Sequence, residues 1–224
     1  MRVLAVGGPK GGVGKSTTAV TVAHVAALGG AKVLVVDADP NRTSADWIEQ
    51  ADEAVPVDVA EGSDARSLAR IRYVRGYDLA VVDLPGAREA GGLDALLRGP
   101  DGPVVDLLVA PCGPELAELR PTVRVLRSEV MPLGVAHLLV FTRVMSVAMS
   151  RAVERRDQMR AAGLSVARAV IRRYAIFDEA LEAGQTVLGL PGAHSYARQA
   201  ASDYRALARE IMARLGMAMV EVVS

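Results

Sequence analysis

One cysteine, Cys112, stands in the 224-residue chain. A lone thiol forms no internal disulfide and excludes any site built from several thiolates. Lysine is scarce too: Lys10, Lys15 and Lys32 are the only three among 26 basic residues, the rest being arginine. Aromatic residues make up 4% of the chain, too few for the stacked platforms that hold single-stranded nucleic acid. No apolar run approaches the roughly 18 to 20 residues of a membrane span, although mean hydropathy is +0.24. The apolar part of the N-terminus is too short for a signal peptide. No sign of charge predominates, since 26 acidic residues balance the 26 basic ones.

What is present is a large apolar fraction, 51%, beside 23% charged residues. That composition buries a substantial core and excludes disorder as the main state. With this length and no linker or internal repeat, residues 1–224 read as a single soluble, cytoplasmic domain. Charge is unevenly spread. The first half is acidic on balance and the second basic, with eight arginines between 141 and 175 against Glu154 and Asp157 alone. A neutral chain with one basic segment can still bind a polyanion locally.

Short apolar runs at 3–6, 32–37, 55–59, 78–83, 104–110, 135–141 and 166–171 alternate with helical stretches at 16–28, 64–75, 115–130, 151–162 and 196–215. Several runs lack polar alternation, as parallel strands buried on both faces do. The expected fold is α/β: a doubly wound, mostly parallel sheet with helices on both faces.

The strongest local signal is Gly7-Gly8-Pro9-Lys10-Gly11-Gly12-Val13-Gly14-Lys15-Ser16-Thr17. It follows the first strand and opens a helix, the setting a phosphate-binding P-loop needs. Glycines 11, 12 and 14 let backbone N–H groups wrap a phosphate at a helix N-terminus. Residues Lys10, Gly11, Gly12, Val13, Gly14, Lys15, Ser16 and Thr17 are therefore the expected nucleotide-binding set. Lys15 is placed for the β- and γ-phosphates and the Ser16 hydroxyl for Mg²⁺. The strict G-x-x-x-x-G-K-[ST] pattern fails, because its first glycine falls on Pro9, and an extra lysine, Lys10, precedes the usual one.

K-G-G-V-G-K-S is the deviant Walker A motif of the ParA/MinD group of ATPases, and the chain resembles the small ParA/Soj partition ATPases that carry no N-terminal helix-turn-helix. The resemblance implies a P-loop ATPase fold, ATP and Mg²⁺ as cofactors, and a nucleotide-sandwich homodimer in which Lys10 reaches the partner's ATP. Two strands end in aspartate, 32–37 leading into Asp37-Ala38-Asp39-Pro40 and 78–83 into Asp83-Leu84-Pro85-Gly86. Both ends fall at the carboxyl edge of the expected sheet, beside the P-loop. Asp83 fits a Walker B aspartate holding Mg²⁺ through water. By the family match, Asp37 supports the metal shell and Asp39 orients the attacking water, with Lys10, Lys15 and Asp39 as the catalytic set. Leu84 departs from the family's usual Asp-Thr/Ala-Pro. Residues 176–187 and the helix at 196–215 also look like ParA.

Arg151, Arg155, Arg156 and Arg160 cover one broad face of an expected helix, followed by Arg168, Arg172 and Arg173. They read either as a solvated helix face or as phosphate contacts to DNA with no sequence readout. The resemblance favours the second, with Arg151, Arg155, Arg156, Arg172 and Arg173 as DNA contacts. It also implies a ParB-like centromere-binding partner that stimulates hydrolysis, and nucleoid association when ATP is bound. The function expected on this basis is partition of a plasmid or chromosome. Positioning of a non-DNA cargo, or a MinD-like membrane role, are the alternatives. The tail after Arg214 carries no Lys or Arg, so stable attachment to anionic lipid is not expected. One cysteine excludes an iron protein of the nitrogenase kind. Cys112 reads as a small packed residue, and His24, His137 and His194 as isolated histidines without ligand spacing.

Overall fold

Runs that are apolar at every position must bury both faces of a strand, and six of the seven runs supply strands of one seven-stranded sheet. The computed structural model describes residues 1–62, 64–86, 91–190 and 195–219. Its strands are β1 (Arg2–Val6), β2 (Val33–Asp37), β3 (Asp58–Glu61), β4 (Leu79–Asp83), β5 (Leu107–Cys112), β6 (Ala136–Val144) and β7 (Val166–Arg172). The order is β3-β2-β4-β1-β5-β6-β7, and every strand pairing in the sheet is parallel. From β1 the chain crosses to β2 on one side, and from β4 it crosses back to β5 on the other. The reversal beside β1 is where ligands bind in open α/β sheets.

The helices are α1 (Lys15–Leu28), α2 (Thr43–Ala51), α3 (Ala65–Ala69), α4 (Gly92–Leu97), α5 (Leu116–Val125), α6 (Met149–Ala161), α7 (Ile176–Glu182) and α8 (Ser195–Leu215). Successive strand residues feed opposite cores. Leu4, Val6, Val35 and Val81 pack under α1, α2 and α8, while Val3, Ala5, Val36 and Val82 pack with Leu68, Leu96 and Phe141 on the other face. Cys112 is fully buried in the second core, where burial raises its thiol pKa. It is a packed residue, not a nucleophile. His194 lies outside the described residues.

Three expected elements differ, one being the helix expected over 64–75, which is α-helical only over Ala65–Ala69 and gives way to a 3-10 turn over Ile71–Tyr73. The run at 55–59 is not itself the third strand: Val55 is buried in a loop, Pro56 has no N–H to donate, and pairing begins at Asp58. The helix expected over 115–130 is α-helical only to Val125 and continues as one π turn over Leu126–Val130. Three short helices, α2, α4 and α7, had no counterpart among the expected helical stretches.

Beneath α1, His24 is 3% exposed, with Nδ1 2.8 Å from the Thr186 hydroxyl. Burial, then the nearby Arg205 charge, lowers its pKa to about 4. The native imidazole therefore stays neutral where an unfolded one, near 6.5, would bind a proton. Stability present above pH 6.5 should be lost as pH falls toward 4, by about 3 kcal/mol for this residue alone. The stability gap between wild type and His24→Asn, followed by urea unfolding from pH 7 to pH 4, is expected to shrink by that order. A gap independent of pH would contradict it.

Candidate active site

Glycine is required at two points in the loop after β1. Gly12 and Gly14 have φ of 67° and 84°, in the left-handed region that a side chain disfavours. Gly14 precedes α1 with no side-chain cap, so N–H groups of the first turn remain for a ligand, with the positive end of a 14-residue helix behind them. The Lys15 ammonium folds back onto the Lys10 carbonyl at 3.0 Å. Burial lowers its pKa, and the charges of Asp83 and Asp39 oppose that shift. Two residues of β6 brace the loop. The Thr142 hydroxyl donates to the Val13 carbonyl at 2.7 Å, and the Arg143 guanidinium donates to the Gly12 carbonyl.

Asp37 and Asp83 are register partners at the carboxyl ends of β2 and β4, 2% and 1% exposed. Both Asp37 oxygens accept backbone N–H groups at 2.9 Å: Oδ1 from Asp39, Oδ2 from Ser44 and Ala45. Asp37 thereby caps α2 from the preceding strand, where a carboxylate suits the helix N-terminus. Asp83 Oδ2 accepts the Ser44 hydroxyl at 2.5 Å, while Oδ1 is buried and has no hydrogen-bond partner among the described residues. Burial raises the Asp83 pKa to about 6; the hydroxyls of Ser16 and Ser44 lower it, the Asp37 charge adds to the rise, and Lys15 opposes it. Asp39 Oδ1 accepts both the backbone and the side-chain N–H of Asn41, each at 2.9 Å.

The glycine loop and Asp39 border one cleft of ≈ 780 Å³, which the buried Asp37 and Asp83 do not line. Gly11, Gly12, Gly14, Lys15, Ser16, Thr17, Asp39 and Asn41 form one wall, and Arg172, Arg173, Tyr174 and Phe177 form the other. Val13 is buried behind the loop, and Lys10 is exposed. Gly86 closes onto the loop: a Cβ there would sit 3.1 Å from Lys15 Nζ and 3.2 Å from the Gly11 backbone. Leu84 has a packing reason, since its side chain lies over Gly7 and Gly92, where added Cβ atoms would come within 2.8 and 3.1 Å of it.

The arginines of the basic third separate into two groups. Arg151, Arg168 and Arg173 are exposed. Arg155 donates to the Pro114 carbonyl, Arg160 to the Val166 carbonyl, and Arg156 to Asp157 and the Arg168 carbonyl. Arg172 is held by both oxygens of Asp203, at 2.9 and 2.7 Å, 5.6 Å from the Tyr174 ring centroid, on the cleft wall rather than on the α6 face. Sequence reasoning missed Asn41, Ser44, Thr142, Arg143 and Tyr174 as site residues. Asn41 was legible as the residue closing D-x-D-P-N; the others carry no local signal.

A parallel sheet with a glycine loop at its reversal point, a buried lysine at the end of that loop and two aspartates at neighbouring strand ends defines a P-loop nucleotide-binding protein. The chain belongs to the CobQ/CobB/MinD/ParA nucleotide-binding domain family, whose model matches residues 4–187. It is 36% identical over 210 residues to Maintenance of carboxysome distribution protein A of Gloeobacter kilaueensis, covering 94% of each chain. Its fold is similar to that of an ATP complex of a McdA variant from Cyanothece, with a TM-score of 0.70 and 16% identity over 99% of this chain and 98% of that one. It is also similar to MinD with Mg-ADP from Pyrococcus horikoshii, with a TM-score of 0.67 and 21% identity over 94% and 95%. The expectation of a positioning ATPase of the ParA/MinD type holds.

Proposed function

We propose that the chain binds ATP with Mg²⁺ in this cleft, holds DNA without sequence preference as an ATP-dependent homodimer, and lets go when a partner protein stimulates hydrolysis. The cycle positions a large cargo. The observation that carries the reading is the meeting of Lys15, Ser16 and Asp39 at one cleft, with Asp83, the register partner of Asp37, close enough to act on the Lys15 charge, in a chain related over 94% of its length to a carboxysome-distribution protein. That relationship favours a protein assembly as cargo over a plasmid or chromosome with a ParB-like partner. The protein would be cytoplasmic, and nucleoid-associated when ATP is bound.

The residues fit Mg²⁺. Asp83 Oδ1 is a buried acceptor without a partner, and no group of three His, Cys, Asp or Glu surrounds a metal position among the described residues. A small cation that takes most of its oxygens from phosphates and water suits that arrangement. When bound, the ion neutralises charge between the terminal phosphates. Ser16 and Asp83 would hold it, with Asp37 supporting the shell through the start of α2. Lys15 leaves the Lys10 carbonyl for the phosphates, and the loop N–H groups bind their oxygens. Asp39, steadied by Asn41, orients the attacking water. Lys10 reaches the partner's nucleotide, so each subunit completes the other's site.

Among the DNA-contact candidates, Arg151 and Arg173 are exposed, while Arg155 and Arg156 brace α6 and Arg172 is held by Asp203; Arg168, outside that set, is exposed as well. A membrane role has less support. No described helix is long and apolar enough to cross a membrane, and the apolar face of α8 is spent on the core through Leu207, Ile211, Met212 and Leu215.

The test is retention of the protein on a DNA-coated surface with ATP, ADP or no nucleotide. Retention is expected with ATP alone, and Asp39→Ala should stay bound with hydrolysis abolished. The double variant Arg151→Glu/Arg168→Glu should weaken retention on every sequence and flatten its salt dependence. Equal retention in all nucleotide states would overturn the reading.

A further inference from the structure

The two aspartates at the strand ends are held differently, and one residue joins them. Ser44 is fully buried. Its backbone N–H binds Asp37 Oδ2 at 2.9 Å and its hydroxyl binds Asp83 Oδ2 at 2.5 Å. A carboxylate turns about its terminal torsion with little resistance, so a hydroxyl locked on Oδ2 fixes where Oδ1 stands. Oδ1 is the buried oxygen with no hydrogen-bond partner among the described residues. The hydroxyl is carried by the first turn of α2, which is docked on Asp37 through the backbone N–H groups of Ser44 and Ala45.

We infer that Ser44 is a positioning residue for the metal site: it presents Asp83 Oδ1 to Mg²⁺ and makes helix α2 respond to whether that site is filled. The inference rests on the reading of the cleft as a Mg²⁺–nucleotide site. Groups that orient a metal ligand in this way commonly contribute ten- to hundredfold in metal affinity. Coupling to α2 follows because the hydroxyl and the two N–H groups on Asp37 belong to one rigid turn. A change at Asp83 is then transmitted to residues 41–51, which also carry Asn41, the partner of Asp39.

The experiment is binding of a fluorescent ADP analogue to the full chain, with Mg²⁺ as the titrant, for wild type, Ser44→Ala and Ser44→Cys. The Mg²⁺ midpoint is expected to rise about tenfold or more in Ser44→Ala, with Mg²⁺-free binding of the analogue unchanged. Ser44→Cys, which keeps a weak donor of similar size, should fall between, and it carries the test if the alanine variant does not fold. Amide exchange over 43–51 should slow when Mg²⁺ is added to the wild-type ADP complex and should not in Ser44→Ala. A midpoint within twofold of wild type in both folded variants overturns the inference, even if their thermal stability falls, because a purely structural hydroxyl would lower stability alone. If the wild type itself shows no Mg²⁺ dependence, the nucleotide-site reading fails with it. A wild-type response that the variants share leaves that reading intact and removes only the role of Ser44.

Discussion

Replacing Lys15 with alanine is expected to weaken ATP binding by at least about a hundredfold and to reduce hydrolysis to background. Lys15 is the first residue of α1, directly after Gly14 with its positive φ, and desolvation works against its charge. In the unliganded protein its contact is the Lys10 carbonyl, a neutral acceptor that a polyphosphate readily displaces. Charge-assisted hydrogen bonds contribute about 1.5–3 kcal/mol each, so losing contacts to two phosphates amounts to a factor of roughly 10² to 10⁴. The fold should survive, because the ammonium's hydrogen bond is to a loop carbonyl, although its attraction to Asp83 and Asp39 is lost with it. Calorimetric titration with ATP checks the affinity, and a loss under tenfold would remove Lys15 from the site. Lys10→Ala gives the contrast. That side chain is exposed, so the monomer's affinity should stay near wild type while the ATP-dependent dimer, followed by light scattering, is lost.

The parts of this fold legible in the sequence are those whose cause is local. β1, β2 and β4 are Val- and Leu-rich runs buried at nearly every position, and the glycine loop is fixed by backbone conformation at Gly12 and Gly14. The two strand-end aspartates were legible because a charge at the close of an apolar run has to emerge at a sheet edge. What the sequence hid depends on tertiary partners. α2 has no side-chain cap of its own, begins after Arg42 in the left-handed conformation, and is capped by Asp37 six residues before its first residue. Ser44 looks like a surface serine until β2 and β4 are aligned. β3 is an edge strand with only one half-buried position of four, so the apolar signal sat upstream at Val55, which packs without pairing. The arginines show the reverse. Their spacing marks the α6 face, but the acceptors that engage Arg155, Arg156 and Arg160 are carbonyls distant in sequence or across a turn.

Coupling within the site runs through close backbone approach as well as charge. The Asp83-Leu84-Pro85-Gly86 segment crosses over the phosphate loop, where Gly86 leaves no room for a side chain against Gly11 and Lys15. Leu84 is anchored over Gly7 on the same path. Any displacement of the loop by a bound phosphate is therefore felt at the residues that follow Asp83, while Ser44 connects Asp83 to α2. Two segments that leave the sheet in different directions meet at a single carboxylate, and that concentrates both stability cost and function in Asp83.

Asp83→Asn is accordingly expected to make the unliganded protein more stable and to abolish Mg²⁺-dependent nucleotide binding. The buried carboxyl has its pKa pushed up to about 6, first by desolvation. Between the unfolded value, near 3.8, and 6, the native state holds a proton that the unfolded state has released. Stability must therefore fall as pH rises through that window, and the full cost, about 3 kcal/mol for a shift of this size, is present at pH 7. Asparagine removes the charge while its carbonyl can still accept the Ser44 hydroxyl, so a gain of about 1–3 kcal/mol near neutral pH should appear in urea unfolding and vanish below pH 4. His24 has the opposite sign over much of the same range, so the variant should also expose a stability that climbs with pH between 4 and 6.5, a slope that Asp83 masks in the wild type. A less stable Asp83→Asn at pH 7 would mean the carboxylate is satisfied without a ligand. The stabilised outcome instead identifies Asp83 as a group kept ionised at the expense of the empty fold, because the metal-bound state requires it.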